Sequence, residues 1–224
     1  MYARCFILTR SKLTSVCCGA LIFFATQWTF GQLQQPDRYE INLANNEPGF
    51  RVASASAEGL VLHRFVRSNQ DNFLEIVRLD TAFNEIWKGS VPIERHMVFV
   101  GGMSYDSRVY FLFHSFSTYS FNVIQMDQDN GQYRQHSINS FIRFSATEFR
   151  VTKQAILIGG YFNRVPLVLY FDLKARQSRI LPGLLNEDGE LTQIKVFDDG
   201  TFQVLISGRN YKKQKTIWIK NYQP

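Results

Sequence analysis

A spacing constrains this chain more than any other feature. Four runs rich in Val, Ile, Leu, Phe and Tyr, GLVLHRFV from Gly59, RVYFLFHSF from Arg108, QAILIGGYF from Gln154 and TFQVLISGR from Thr201, align so that His63, His114, Gly159 and Ser207 are equivalent, separated by 51, 45 and 48 residues. The runs that follow them, FLEIVRLD, FNVIQMDQ, LVLYFDLK and TIWIKNYQ, align Asp80, Asp127, Asp172 and Asn221, at separations of 47, 45 and 49. Two independent alignments give one period. Apolar runs this short, bounded by Gly, Pro, Asn and Asp, read as strands. The unit is clearest between Gln154 and Pro182, where three such runs follow one another on hairpin-length connections.

A further β-like run precedes each pair, at Phe50 to Ala53, Met97 to Val100, Glu148 to Thr152 and Leu191 to Phe197, and a fourth follows three of them, at Asn84 to Val91, Tyr133 to Ile138 and Gln177 to Leu181. Four strands per unit with a period in the forties is the signature of a propeller blade. The sequence therefore predicts an all-β chain: a β-propeller of about four four-stranded antiparallel blades, over about residues 50–93, 97–138, 148–182 and 191–223. Asp80, Asp127 and Asp172 then open hairpins, since Asx side chains bond the backbone two residues on. The last unit has no run for an outer strand after Asn221. RYEINL (Arg38 to Leu43) alternates polar and apolar before the first unit and is expected to complete the fourth blade, because an unpaired edge invites association. The rival expectation is an open partial propeller, a fragment of a larger one.

Residues 1–31 read as a secretory signal peptide. Arg4, Arg10 and Lys12 precede the uncharged apolar stretch Val16 to Phe30, which ends at Gly31; it is too short for the roughly 20 residues of a spanning helix. The expected mature domain is residues 32–224, exported to a periplasmic, outer-surface or extracellular location and without an integral membrane span. All three cysteines (Cys5, Cys17, Cys18) fall in the leader, which leaves no disulfide or cysteine metal site in the mature chain. Removing the leader's three basic residues from 25 leaves 22 against 19 acidic, a net charge of +3. That balance does not call for a nucleic-acid partner.

The chemistry-bearing residues are sparse. His63 and His114 share a blade position, but Gly159 and Ser207 hold it in the other units, so both read as structural histidines and no metal or other cofactor is expected. Asp127 to Gly131 resembles a calcium loop only faintly and reads as an Asx-Gly turn. Carboxylates occur together at Glu187, Asp188 and Glu190 and at Asp198-Asp199, where a solvated face is the simpler account. The loops after second and fourth strands share one end of a propeller. They carry Arg67, Arg95, His96, Arg143, Arg164, Arg209, Tyr211, Lys212 and Lys213, a basic and aromatic set suited to an anionic or polymeric ligand.

The repeat pattern over about residues 38–224, with blades such as DTAFNEIWKGSVPI (Asp80 to Ile93), resembles that of β-propeller repeat proteins, in particular uncharacterised exported propellers of the bacterial envelope. From the loop-bearing face, and not from the resemblance, comes the expectation of a non-catalytic exported propeller that binds a protein, peptide or glycan of the cell envelope there. A carbohydrate-active enzyme on a propeller scaffold and a structural fragment of a larger propeller are the alternative readings. The enzyme would need two carboxylates converging about one bond.

Overall fold

The structure, a computed structural model, describes residues 38–43, 47–68, 71–115, 119–184 and 189–223. The expected leader, residues 1–31, lies outside the described residues. Among the described residues, fifteen strands form four antiparallel sheets in chain order. The first contains β1 (Arg51–Ser56), β2 (Gly59–Arg67), β3 (Asn72–Leu79) and β4 (Glu85–Ile93). The second contains β5 (Met97–Tyr105), β6 (Arg108–Ser115), β7 (Ser120–Asp127) and β8 (Tyr133–Asn139). The third contains β9 (Ser145–Val151), β10 (Ala155–Phe162), β11 (Val165–Asp172) and β12 (Gln177–Ile180), and the fourth β13 (Glu190–Val196), β14 (Phe202–Arg209) and β15 (Lys215–Tyr222). Each sheet is a plain meander, its strands paired in sequence order. The described residues contain no helix long and apolar enough to cross a membrane.

Three apolar layers join the sheets in succession. Val61, Ile76 and Val91 of the first sheet meet Phe111, Phe113 and Ile124 of the second; Leu112, Phe121 and Val123 meet Phe149, Ile156 and Leu169 of the third; Leu157, Val168 and Tyr170 meet Ile194, Phe202 and Val204 of the fourth. Hydrogen bonds bridge the same seams. Trp87 Nε1 donates to the Gln128 carbonyl (2.9 Å), Ser178 Oγ to that of Asn139 (2.6 Å) and the Tyr222 hydroxyl to that of Pro182 (2.7 Å). The arrangement is propeller-like.

Burial along the second strands shows where the series stops. In β6, Val109 to Ser115 are all buried, and in β10, Ala155 to Gly160 are, because these middle sheets are covered on both faces. In β2 and β14 buried residues alternate with half-buried ones over most of the strand. The outer faces of the first and fourth sheets have no sheet against them, and no apolar cluster joins these two sheets among the described residues. Among the described residues the four sheets thus form an open series, as in a partial propeller.

This openness corrects one expectation. Residues 38–43 form no strand, and the fourth sheet has three strands among the described residues. Closure by the leading strand requires first and last sheets to be neighbours, which they are not. The Tyr39 hydroxyl instead donates to Glu85 Oε2 (3.3 Å) at the start of β4, in the first sheet.

The repeated aspartates open the outer hairpins. Asp80 Oδ1 accepts from the Ala82 and Asn84 amides, Asp127 Oδ1 from those of Asp129 and Asn130, and Asp172 Oδ1 from those of Lys174 and Ala175. At the same end of the first sheet, the buried Arg78 donates to the carbonyls of Leu79 (3.2 Å) and Glu58 (2.9 Å), fixing the β1–β2 turn. Gly59 follows that turn with φ +121°, and a Cβ there would lie 2.1 Å from the Leu79 carbonyl oxygen. Both strain and overlap oppose any side chain at this position. Gly59→Ala is expected to cost at least about 2 kcal/mol in urea unfolding. Gly89→Ala, where nothing lies within 4 Å of the new methyl group, should change the midpoint little.

Candidate functional site

In antiparallel meanders the connections after second strands and those between successive sheets leave from one end. The structure ties two of these pairs together: Asn72 Nδ2 donates to the Arg95 carbonyl (3.3 Å), and the Ser140 amide to that of Tyr119 (3.0 Å). All the sequence-selected residues sit on this end, but spread over successive sheets. Arg95 and His96 occupy the β4–β5 turn, where His96 Nε2 lies 3.3 Å from Glu94. Arg143 lies on the β8–β9 connection and Arg164, at φ +71°, on the β10–β11 turn. Arg209 ends β14, and Tyr211 and Lys212 follow it, the Lys212 ammonium 5.6 Å from the Tyr211 ring centre. Arg67 ends β2, its guanidinium 5.4 Å above the Phe65 ring.

Of these, Arg67 enters a defined pocket, and the period-two geometry of β2 explains how. His63, Phe65 and Arg67 share the face turned toward the second sheet, as alternate residues must. Arg51 of β1 is the direct cross-strand partner of His63. Phe99 of β5 reaches in from the second sheet, its ring 5.3 Å from that of His63. With Pro48, Gly49, Phe50 and Arg64 these residues line a half-open pocket of about 490 Å³ at the loop end of the first seam. Arg64 holds the wall in place. Its guanidinium bonds Glu47 Oε2 (2.6 Å) and Glu75 Oε2 (2.7 Å) and lies 4.8 Å over the Phe50 ring, which pins the chain entering β1 against the sheet.

The electrostatics of the pocket are one-sided. Arg64 is neutralised by two glutamates, whereas Arg51 and Arg67 have no carboxylate partner among the described residues. His63 is 4% exposed and packs between Phe99 and Phe111. Burial, reinforced by the Arg51 charge, lowers its pKa from 6.5 to about 4, so the imidazole is neutral at pH 7. The Arg51 backbone lies near enough to favour the imidazolium slightly, but outside hydrogen-bonding geometry, and neither ring nitrogen has a partner among the described residues. A buried imidazole in this state costs stability unless something donates to it or accepts from it. The site thus offers two cationic forks, a neutral donor and acceptor, and three phenyl faces.

His114 has the equivalent place in the second sheet and a different role: its ring stacks on Phe121 at 4.5 Å, and burial, with the nearby Arg143 charge, lowers its pKa. No group of three His, Cys, Asp or Glu side chains able to hold a metal occurs among the described residues. Glu187 and Asp188 lie outside the described residues; Glu190 lines a groove at the β14–β15 hairpin with Arg209, Lys213 and Lys215. Two carboxylates, Glu58 and Asp106, line a pocket at the opposite end, both on exposed turns, where a general acid would lack the burial that holds its proton.

Arg51, Phe50 and Phe99 escaped the sequence analysis. The β1–β2 register could have exposed Arg51, since RVAS and LVLH pair once the turn is placed. Nothing local marks Phe99, which arrives through packing between sheets.

The folded-state pKa of His63 lies below its unfolded value, so the unfolded chain binds the proton more readily and stability is lost as pH falls from about 6.5 toward 4. From this residue alone the protein is expected to be about 2 kcal/mol less stable at pH 5 than at pH 7. Urea titrations at the two pH values, compared with those of His63→Phe, isolate that component.

No protein-family profile matches the chain, and no curated protein is similar to it in sequence. Among solved structures, a Synechocystis apocarotenoid oxygenase aligns with a TM-score of 0.46 at 10% identity, over 80% of this chain and 52% of that one. A lignostilbene dioxygenase from Pseudomonas brassicacearum gives 0.41 at 8% identity, over 72% and 47%, and the AfRom2 CNH domain 0.32 at 9% identity, over 90% and 73%. The chain spans about half the length of the oxygenase structures to which it is similar.

Proposed function

We propose that this protein is a non-catalytic binding module whose loop end takes a carboxylate-bearing peptide, from a free peptide or a protein segment, at the seam between its first two sheets. One observation carries the reading: two arginines without carboxylate partners among the described residues flank an apolar, phenylalanine-lined cavity. A carboxylate bonded by Arg51 and Arg67 gains charge-assisted hydrogen bonds, each worth about 1.5–3 kcal/mol. The apolar part of the ligand covers Phe50, Phe65 and Phe99, and a polar group of the ligand supplies the partner His63 lacks. The leader-like residues 1–31 add a location to the proposal, the bacterial envelope or the medium, with the envelope propellers as the kind of protein it resembles.

N-acetylphenylalanine, with a free carboxylate beside a phenyl ring, is a minimal probe. It is expected to shift backbone NMR signals of residues 50, 51, 63–67 and 99, and N-acetylphenylalanine amide to bind at least about tenfold more weakly. Arg51→Ala and Arg67→Ala should each weaken the acid about tenfold and leave the amide unaffected. Equal affinity for acid and amide would remove the proposal. For the location, expression of the full chain in a bacterial host should yield an envelope or secreted product whose amino terminus lies near Gln32, as read by N-terminal sequencing.

A further inference from the structure

The strands equivalent to β15 in the other sheets, β3, β7 and β11, each pair with a neighbour on both sides. β15 pairs with β14 alone, so its second edge carries a row of backbone amides and carbonyls without a strand partner among the described residues. An edge of this kind is a template for another strand. Its surroundings restrict what that strand can be. Ile217 and Ile219 are 62% and 55% exposed, and Ile219 pairs across to Leu205, so one face of the hairpin carries an uncovered apolar stripe. Arg209, Lys213 and Lys215 line a groove of about 940 Å³ beside it, Lys220 lies further along the strand, and Glu190 is the one acidic residue of the lining. None of these four cations has a carboxylate partner among the described residues.

Charge then decides the occupant. A second copy pairing edge to edge would bring the lysines of one β15 beside those of the other with no acid on either strand. Like charges on facing strands oppose that pairing, which is how edge lysines keep sheets apart. A strand of alternating acidic and β-branched residues meets the opposite situation: with its apolar side chains on the face of Leu205, Ile217 and Ile219, its carboxylates lie on the other face, that of Lys220, and Lys215 and the hairpin cations at the end of the strand attract them at longer range. We propose that β15 is an acceptor edge for β-strand addition, and that its partner is an extended acidic peptide segment of another protein, about as long as the eight residues Lys215–Tyr222. This site is separate from the Arg51–Arg67 pocket.

The test uses the full chain and an eight-residue peptide of alternating Glu and Val, acetylated and amidated, with two controls: the same peptide with Lys for Glu, and one with Pro at alternate positions, which lacks half of the amides a ladder needs. Hydrogen exchange should show the β15 amides that point away from β14 exchanging fast in the free protein and at least about tenfold more slowly with the Glu peptide. The Lys peptide and the Pro peptide should give no protection. Lys215→Glu combined with Lys220→Glu, both at exposed positions, should weaken the Glu peptide at least about tenfold by fluorescence anisotropy. Arg51→Ala should leave its affinity unchanged, which separates this proposal from the pocket. Four results would overturn it: equal binding of the Lys peptide, protection confined to residues outside 213–222, slow exchange of the outward-facing β15 amides before any peptide is added, or concentration-dependent protection with dimerisation of the protein alone. The third would mean that the chain covers its own edge, the fourth that a second copy does.

Discussion

Each sheet of this protein is held by the apolar face of the next, and the other features follow from that contact. A sheet of three or four short strands cannot bury enough surface to persist alone. Stacked in series, the four sheets take Phe111, Phe113, Phe121 and Phe202 out of water entirely, at roughly 1.5–3 kcal/mol for each large apolar side chain. The side chains that cross the seams by hydrogen bonding, Trp87, Ser178 and Tyr222, all reach backbone carbonyls, which fixes the angle between sheets without burying a charge.

The same contact sets the sites. Where the first seam runs out at the loop end, apolar packing gives way to Phe65, His63 and Phe99 with arginines at the rim, and a cavity opens. Where the series itself runs out, in the fourth sheet, an apolar stripe and a strand edge are left facing water. Cations occupy both margins. That distribution follows from desolvation: a guanidinium or ammonium is tolerated at the edge of an apolar layer, where its stem packs and its head stays wet, and Arg78, the charged side chain that is buried, satisfies itself on carbonyl groups.

Much of the fold was legible because strands and their turns are local. The 48-residue spacing, the second and third strands and the hairpin-opening role of Asp80, Asp127 and Asp172 all appear in the structure within a residue or two of the expected positions. The ends of the series were not legible: β2 and β14 carry consecutive apolar residues (Leu60 to Leu62, Val204 to Ile206) much as β6 and β10 do, and only the fold buries them alternately, on one face. The fate of RYEINL was not legible, since its alternation suits a strand wherever a free edge is within reach.

By itself the sequence determined strand identity, repeat length and turn chemistry, because these depend on residues within about ten positions of one another. Tertiary structure alone decided which residues share a site. Arg51 meets His63 through register, Phe99 meets both through the angle between two sheets, and Arg209 stands apart from Arg67 although the repeat makes their loops equivalent. The physical reason is that a side chain's neighbours across a seam are chosen by the packing of whole faces, and no single strand carries the information for the face it will meet.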